Sequence, residues 1–282
     1  MRIALFGRTG QVATEVRRRA PEGVTLEVID RDRADFTDPR AVFDVARSLD
    51  VDAAINAVAH TAVDRAESEP DIAERVNGAS VAALREGLGE TPLVHISTDY
   101  VFDGSGAAAR APDAPTGPLG VYGASKLMGE EAIRRLGAQP HAILRTSWVF
   151  SAHGSNFVRT MLRLGAERDR LSIVADQVGG PTPAAAIADA CLTLAGSLAG
   201  GGASGTYHFA GAPDVSWAGF ARAIFARAGL AVEVVEIPTA DYPTPARRPL
   251  NSRLDCDSLL RDHGIGRPDW RAGLDQVLKE LS

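Results

Sequence analysis

A strand, a glycine turn and a helix open the chain, and this pattern restricts the fold more than any other stretch. The apolar run Arg2-Ile3-Ala4-Leu5-Phe6 predicts a buried parallel strand, and a helix is expected to follow it to about residue 19. Gly7 allows a sharp turn between them, and Gly10 lets backbone amides approach a pyrophosphate at the positive helix end. Ala13 stands where a third small residue packs helix against strand. The context favours a dinucleotide-binding loop over a plain strand–helix turn.

The second predicted strand, residues 24–29, ends at Asp30, which lies 23 positions after Gly7. An acid at this spacing suits a ribose hydroxyl of a dinucleotide, the alternative being an ordinary turn residue. Three nearby arginines would instead suit the 2′-phosphate of NADP: Arg8, Arg31 and Arg33. The sequence therefore leaves NAD and NADP both open.

Two residues before the next predicted helix, Asp35 and Phe36, stand where an adenine ring would lie. Thr37 or Asp38 is expected to cap that helix, and Pro39 to occupy its first turn. For Asp35 and Phe36, spacing alone supports a structural role and a cofactor contact equally.

A third apolar run, residues 51–57, predicts a strand whose end enters a loop at the carboxyl edge of the sheet. Ala59, His60 and Thr61 lie in this loop, where small residues let a flat cofactor pass close to the backbone. His60 is more typical of a structural residue than of a catalytic acid or base. A long helix is predicted over residues 68–89.

The stretch that carries the chemistry runs from the end of a fourth strand to a helix. Ser97-Thr98-Asp99 follows the apolar residues 93–96, and Thr98 is thus placed to bond a reacting oxygen. Tyr122 and Lys126, four positions apart, would lie one above the other on a helix face. An ammonium beside a phenol favours phenolate, so Lys126 is expected to lower a phenol pKa that is ordinarily about 10. The chain has 2 lysines against 28 arginines, which weighs against the alternative of an incidental lysine on a solvated face.

Beyond the fifth predicted strand, residues 141–146, and Trp148 at its end, the sequence changes character. Residues 238–254 contain four prolines and predict an irregular loop that walls a substrate site, where Arg247 and Arg248 would suit a diphosphate or else be solvated. The whole pattern predicts an α/β fold, a Rossmann-like doubly wound parallel sheet with a smaller α/β substrate-binding C-terminal domain. We expect a dinucleotide-binding domain over 1–147, with helix 183–199 returning to it, and a mainly substrate-binding domain over 148–282.

Composition excludes several classes of protein. A net charge of −6 argues against a nucleic-acid binder. The two cysteines, Cys191 and Cys256, have neither metal-ligand spacing nor a disulfide framework, which fits a reducing compartment. The N-terminus lacks a signal-peptide pattern, and no apolar run approaches the roughly 20 residues of a membrane span. We therefore expect a cytoplasmic protein without nucleic-acid or membrane partners.

With these residues laid out, the chain resembles the dTDP-4-dehydrorhamnose reductase family of extended short-chain dehydrogenases/reductases. The likeness runs through nearly the whole chain. Its most family-specific block is Tyr242–Ala246 with Arg248-Pro249 and Asn251–Leu254, whereas Tyr-x-x-x-Lys identifies only the superfamily. The other matching blocks are Gly7–Gln11, Asn56–Asp64, Ala66–Pro70, Ser97–Phe102, Val121–Gly123 with Lys126, and Arg145–Val149.

The resemblance implies reduction of the C4 keto group of a dTDP-4-dehydro-6-deoxy-L-hexose by NADPH or NADH, foremost dTDP-4-dehydrorhamnose to dTDP-L-rhamnose. Tyr122 would donate a proton to the C4 oxygen, Lys126 would hold the nicotinamide ribose and tune Tyr122, and Thr98 would tune the oxygen. Asp99 would lie beside Thr98, and Trp148 against the sugar or its base. The resemblance also implies a set of cofactor-binding residues: Gly7, Gly10, Gln11, Val12, Asp30, Asp35, Phe36, Ala59, His60, Thr61, Tyr122 and Lys126.

The chain departs from the family pattern in two places. Ala13 stands where many members have glycine. Some members bind magnesium between subunits through glutamates, and Glu15 is present here. The predicted helix over 184–190 has no glutamate, so we expect no metal site.

Several other functions stay open at this point. Sugar-nucleotide dehydratases of the superfamily carry Thr-Asp-Glu after strand four, but here Tyr100 follows Asp99, which removes the base expected for elimination. A reductase of a related ketosugar in secondary metabolism, of the dihydrostreptose kind, is one alternative. A non-catalytic nucleotide-binding subunit, like the relative that regulates methionine adenosyltransferase, is another. For self-association, a homodimer is open.

Overall fold

The computed structural model describes residues 1–136 and 139–282. It contains parallel strands typical of an α/β protein, together with several two-residue strands. The strands are β1 Arg2–Phe6, β2 Thr25–Ile29, β3 Ala53–Asn56, β4 Leu93–Thr98, β5 His141–Thr146, β6 Val149–Phe150, β7 Arg170–Val174, β8 Val178–Gly179, β9 Thr182–Pro183, β10 Gly205–His208, β11 Val215–Ser216, β12 Glu233–Ile237 and β13 Asn251–Ser252.

The helices alternate with the strands through the first half of the chain. The predicted long helix over 68–89 is continuous over 70–88 but has a π-helical middle, Arg75–Ala79. Two 3-10 turns lie at Asp99–Val101 and Thr239–Asp241. The α-helices are α1 Gln11–Arg19, α2 Pro39–Ala46, α3 Val63–Ala66, α4 Pro70–Glu74, α5 Ser80–Leu88, α6 Val121–Arg135, α7 Phe157–Glu167, α8 Ala184–Ala199, α9 Trp217–Ala228, α10 Asp257–His263 and α11 Trp270–Leu281.

Six strands form the central sheet in the order β10-β5-β4-β3-β1-β2, and every neighbouring pair is parallel. The chain leaves β1 for β2 on one side and then crosses to β3 on the other, so the strand order reverses at β1. In open α/β sheets the crevice outside the carboxyl ends of the strands at such a point binds ligands. The doubly wound parallel sheet predicted from the sequence is confirmed.

Both faces of the sheet are covered, because successive side chains of a strand point to opposite faces. On β1, Ile3 and Leu5 belong to the core under α1 and α8, whereas Ala4 and Phe6 belong to the core under α2 and α5. Each fully buried large apolar side chain of this kind stabilises the fold by about 1.5–3 kcal/mol. The carboxyl edge of the sheet therefore rests on a rigid scaffold.

A separate core lies outside the sheet and joins α7, α9 and α11 through residues such as Phe150, Phe220 and Trp270. Beside it, β7 pairs with β12, and β8 lies between β11 and β13. Helix α8 and strand β10 lie with the central sheet, although they follow residue 148 in the chain. The division into domains at residue 147 stays a prediction. Among the described residues, no helix has both the length and the apolar character needed to cross a membrane.

Candidate active site

The glycine turn after β1 has the backbone that the sequence predicts. Gly7 has φ of +112°, a value that side-chain-bearing residues rarely adopt, and its amide bonds to the carbonyl of Ile29 at 2.9 Å. Gly10 caps α1 without any side-chain hydrogen bond, and no heavy atom lies within 4 Å of the position a Cβ would take there. The positive end of α1 is therefore uncrowded at Gly10, which suits a pyrophosphate.

A cavity of about 710 Å³ adjoins this turn and extends across the ends of β1, β2 and β3. Seven of the predicted cofactor-binding residues line it: Gly7, Gly10, Asp30, Asp35, Phe36, Ala59 and His60. Its lining also includes residues that the sequence analysis did not assign to a cofactor, among them Thr9, Asp32, Arg65, Glu69, Ile72 and Val76. Arg65, Glu69, Ile72 and Val76 reach the cavity because the segment over 63–79 folds back over the sheet edge, which no local pattern reveals.

The arginines near the cavity are all paired with carboxylates. Arg8 bonds Asp30 at 3.2 Å and Arg31 bonds Asp35 at 3.1 Å. Arg33 turns back to Glu27 on β2, 3.0 Å away, and does not line the cavity. Of the three arginines considered for a 2′-phosphate, only Arg8 and Arg31 are thus in place for it.

Five predicted cofactor residues lie outside this cavity lining: Gln11, Val12, Thr61, Tyr122 and Lys126. The Gln11 side chain accepts hydrogen bonds from Ser151 Oγ at 2.8 Å and Asn156 Nδ2 at 3.0 Å, so it ties α1 to the segment after β6. Val12 packs against the core of the sheet, and Thr61 is exposed. For these residues a cofactor contact stays a prediction.

Asn77, which no sequence motif marks, holds the loop after β3. Its Oδ1 accepts from the amide of His60 at 2.8 Å, and its Nδ2 donates to the carbonyl of His60 at 3.1 Å and to Ser125 Oγ at 2.9 Å. Asn77 lies in the π-helical segment of a helix, where a widened turn is a frequent mark of a functional site. It joins the cofactor cavity to α6, the helix that carries Tyr122.

Thr98 and Asp99 end β4 at the same edge. Thr98 Oγ1 donates to Asp99 Oδ1 at 3.1 Å and accepts from the amide of Tyr100 at 3.2 Å. Asp99 is 2% exposed, and its Oδ2 has no hydrogen-bond partner among the described residues. Burial raises the pKa of Asp99 to about 6, against the opposing effect of the Ser252 and Thr98 hydroxyls. A buried carboxylate with a free oxygen is suited to accept a hydrogen bond from a ligand.

Tyr122 lies in the first turn of α6, above the end of β4. A Cβ on the next residue, Gly123, would collide with the carbonyl oxygen of Tyr100, so only glycine lets the helix approach this closely. The rings of Tyr100 and Tyr122 meet edge to face at 5.5 Å. Burial raises the pKa of Tyr122 to about 12, and the Thr98 hydroxyl opposes this rise only in part.

Lys126 lies one turn further along α6 but does not act on Tyr122 as expected. Its Nζ donates to the carbonyl of Ile96 at 2.7 Å and lies 3.2 Å from Nε2 of His95. Burial lowers the pKa of Lys126 to about 8. The expectation that this ammonium lowers the pKa of Tyr122 is therefore wrong for this structure, because the lysine turns to the strand below while the phenol is desolvated.

Trp148 has φ of 50°, and the described residues include no other non-glycine residue with positive φ. Its indole stacks on that of Trp217 at 3.6 Å with an interplanar angle of 10°. Trp217 Nε1 in turn donates to Gln177 Oε1 at 3.1 Å. A bulky residue in this backbone conformation costs about 1–3 kcal/mol, which is typical of functional sites. The sequence identified Trp148, but Trp217, at the start of α9, carried no signal beyond its aromatic character.

The proline-rich loop reaches back to α3 through an ion pair. Arg248 bonds both carboxylate oxygens of Asp64, at 2.7 and 3.0 Å, and the amide of Ala246 also donates to Asp64. The bond to Arg248 holds the pKa of Asp64 below its usual range. Arg247 is exposed. Of the two arginines considered for a diphosphate, Arg248 is thus engaged with Asp64.

One cluster bears on the question of a metal. Glu15, His153 and Glu280 bring three ligand atoms within 4.8 Å of one another. The guanidinium of Arg18 lies among them, 3.2 Å from Glu15, 2.7 Å from Glu280 and 2.6 Å from His153. A positive charge already bonds these groups, and one of them is an imidazole, so the cluster does not fit magnesium, which prefers oxygen ligands. That no metal is bound stays a prediction.

Comparison with known proteins points in one direction. A family model described as the RmlD substrate binding domain matches residues 1–282. A dTDP-4-dehydrorhamnose reductase of Escherichia coli K12 is 40% identical over 294 residues, which cover 100% of this chain and 98% of the relative. The crystal structure of a dTDP-4-dehydrorhamnose reductase from Clostridium acetobutylicum has a TM-score of 0.93 at 32% identity, covering 100% of this chain and 99% of that one. A dTDP-4-dehydrorhamnose reductase of Bacillus anthracis, solved in complex with NADP, has a TM-score of 0.91 at 33% identity, with 99% of each chain covered.

Proposed function

This chain belongs to the RmlD substrate binding domain family, and we propose that it reduces the C4 keto group of dTDP-4-dehydrorhamnose with NADPH or NADH to give dTDP-L-rhamnose. One structural observation carries the proposal. The phenol of Tyr122 and the hydroxyl of Thr98 meet at the carboxyl end of β4, on the sheet edge that also carries the glycine turn. A proton donor and an oxygen-binding hydroxyl thus lie on the same edge as a dinucleotide cradle.

The residues around the cavity fit a nicotinamide dinucleotide. Gly7, Gly10 and the first amides of α1 would hold the pyrophosphate, and Asp30 or Arg8 the adenosine ribose. The bound cofactor supplies a hydride, which no amino-acid side chain provides. Because Arg8 and Arg31 line the cavity, we propose a preference for NADPH.

Tyr122 supplies the proton. A phenol with a pKa of about 12 stays protonated at physiological pH, so it can give its proton to the C4 oxygen as negative charge develops there. Thr98 orients that oxygen through its hydroxyl. Both roles, and the role of Lys126 at the nicotinamide ribose, are proposals from the family motif.

For the substrate, Asp99 would accept a hydrogen bond from a sugar hydroxyl, and Trp148 would contact the sugar or its base. Tyr100 replaces the glutamate that elimination needs, so we favour net reduction over dehydration. A related ketosugar of the dihydrostreptose kind is the alternative substrate, and it would meet the same groups. A purely regulatory nucleotide-binding role would not need the Tyr122–Thr98 arrangement.

The wider setting is also a proposal. We propose a dinucleotide-binding domain over 1–147 with helix α8, a mainly substrate-binding domain over 148–282, a cytoplasmic location and, for self-association, a homodimer. Two buried free cysteines, Cys191 and Cys256, support a reducing compartment. Light scattering of the purified protein tests the homodimer.

The test of the activity follows NADPH absorbance with enzymatically prepared dTDP-4-dehydrorhamnose. We expect oxidation by the wild type and a loss of turnover of about 10²-fold or more in Tyr122→Phe, with cofactor affinity retained. If the wild type oxidises neither NADPH nor NADH, the proposed function is wrong. Full turnover by Tyr122→Phe would instead refute only the proton-donor assignment.

A further inference from the structure

We propose that His95 is a positioning residue whose Nε2–H group favours the neutral amine of Lys126 over its ammonium form, so that Lys126 exchanges its proton close to physiological pH. The catalytic meaning of this inference rests on the proposed function, but its physical content concerns only two buried side chains. His95 lies in the middle of β4 and is 0% exposed, and Lys126 is 1% exposed. In the sequence, His95 stands within a run that indicates only a buried strand and gives it no role.

The orientation of one amide assigns the tautomer of His95. The backbone amide of Val58 donates to Asn56 Oδ1 at 3.0 Å. Since Oδ1 of Asn56 faces Val58, its Nδ2 faces Nδ1 of His95, 3.1 Å away. An amide nitrogen only donates, so Nδ1 of His95 accepts, and in a neutral imidazole the proton then lies on Nε2. The opposite rotation of the Asn56 amide would set two N–H groups against each other at Val58.

The tautomer then restricts Lys126. The Nε2–H group of His95 points at Nζ of Lys126 across 3.2 Å. An ammonium has three donors and no lone pair, so it would face this N–H as a second donor. A neutral amine has a lone pair that accepts the bond, while its own N–H donates to the carbonyl of Ile96 at 2.7 Å. The hydrogen bonds that run from Val58 through Asn56 and His95 to Lys126 all pair a donor with an acceptor only when Lys126 is neutral.

The electrostatic surroundings agree with this assignment. Helix α6 packs against β4, the 3-10 turn at 99–101, α3, α4, α5 and the π-helical segment. Within the described part of the chain, burial is the main cause that lowers the pKa of Lys126, and only the charge of Glu130 opposes it. That carboxylate is already bonded by Arg145, Arg134 and Ser97. Burial keeps the pKa of His95 well below its usual range, and any charge on Lys126 lowers it further, so the imidazole is neutral. The titratable groups on the packed elements are His95, Asp99, Tyr100, Asp64, Arg65, Asp71, Glu74, Arg75, Arg85 and Glu86, with Tyr122, Glu130, Glu131, Arg134 and Arg135 on α6 itself.

The composition offers a direct test, because the chain contains only two lysines, Lys126 and Lys279. Protein labelled with ¹³C and ¹⁵N in lysine gives two side-chain signals, which Lys279→Arg assigns. We expect the signal of Lys126 to titrate with a midpoint near the value of about 8 given by its burial. In His95→Gln the new amide can turn its oxygen to an ammonium, so the midpoint should rise by about one pH unit or more.

Two further variants keep the test decisive. The matched control is His263→Gln. His263 lies in α10, is partly buried and is bonded to Ser197 of α8, so its replacement should leave the midpoint of Lys126 unchanged. Asn56→Ala frees Nδ1 of His95, which lets the imidazole change tautomer and accept from an ammonium, so the midpoint should again rise. A wild-type midpoint at the ordinary value of about 10.4, or no shift in either His95→Gln or Asn56→Ala, overturns the inference. Because the titration needs no substrate, it stands or falls separately from the reductase activity.

Discussion

Replacing Asp99 by Asn removes a carboxyl group that the fold buries at a cost in stability. The side chain is 2% exposed, and burial moves its pKa from 3.8 to about 6. A difference of this size corresponds to about 3 kcal/mol, since one pH unit is worth about 1.4 kcal/mol. Asn has nearly the same shape and carries no charge, so the variant removes this cost and little else.

The sign of the effect follows from proton binding. Between about pH 4 and pH 6 the folded state binds more protons at Asp99 than the unfolded chain, so the free energy of unfolding falls as the pH rises. Above this window both states are ionised, and the full cost is present. Asp99→Asn should therefore be more stable than the wild type at about pH 7.5, by up to about 3 kcal/mol, and equal to it near pH 4.

The assay is urea unfolding of both proteins at a series of pH values, with Asp103→Asn as control. Asp103 follows on the same segment but is exposed, and its hydrogen bonds from Ser105 lower its pKa. Its removal should leave the protein slightly less stable at neutral pH, the opposite sign. A stability difference between Asp99→Asn and the wild type that does not change with pH would refute the reasoning. The proposed hydrogen bond from a sugar hydroxyl to Asp99 predicts that the gain is accompanied by weaker substrate binding.

Two other perturbations test the walls of the site. Trp217→Leu removes the surface on which Trp148 stacks, so we expect the KM for the dTDP-sugar to rise about two- to tenfold while the Kd for NADPH is unchanged. Steady-state kinetics measures the KM and cofactor titration the Kd, and the KM of Trp217→Phe should lie between those of the wild type and Trp217→Leu. An unchanged KM in Trp217→Leu would argue against a role of the stack in substrate binding. Arg248→Met breaks the bond to Asp64, and because both side chains are partly exposed, we expect a loss of about 1 kcal/mol in urea unfolding. Arg247→Met on the same loop is the control. Since the pKa of Asp64 is lowered, the difference in unfolding free energy between the two variants should be present at neutral pH and vanish in acid as Asp64 protonates. Equal losses of stability in the two variants would contradict the pairing of Arg248 with Asp64.

The first half of the fold follows from the sequence because its signals are local. Strands β1 and β5 have the predicted bounds, and Asp38 caps α2 as one of two predicted residues. Apolar runs bounded by glycine turns are enough to place such strands. The two-residue strands β6, β8, β9, β11 and β13 carry no such signal, since they depend on pairing between segments far apart in the chain. Helices α10 and α11 were likewise not predicted.

The site divides in the same way. The sequence predicts Thr98 at a strand end and Tyr122 and Lys126 on one face of a helix, because strand ends and helix starts have local signals. It did not reveal what each group contacts. The direction of Lys126 depends on His95 in the middle of a buried strand, and the pKa of Tyr122 depends on how closely α6 approaches Tyr100. Desolvation and pairing of this kind arise only when distant segments pack.

One measurement tests the reductase account most directly. The protein is incubated with dTDP-4-dehydrorhamnose and NADPH that carries deuterium at the transferred position of the nicotinamide, and the product is identified by NMR. We predict dTDP-L-rhamnose with deuterium at C4 of the sugar, formed in equal amount to the NADPH consumed, and almost none with Tyr122→Phe. Deuterium at another carbon, or no product with either NADPH or NADH, would contradict the account.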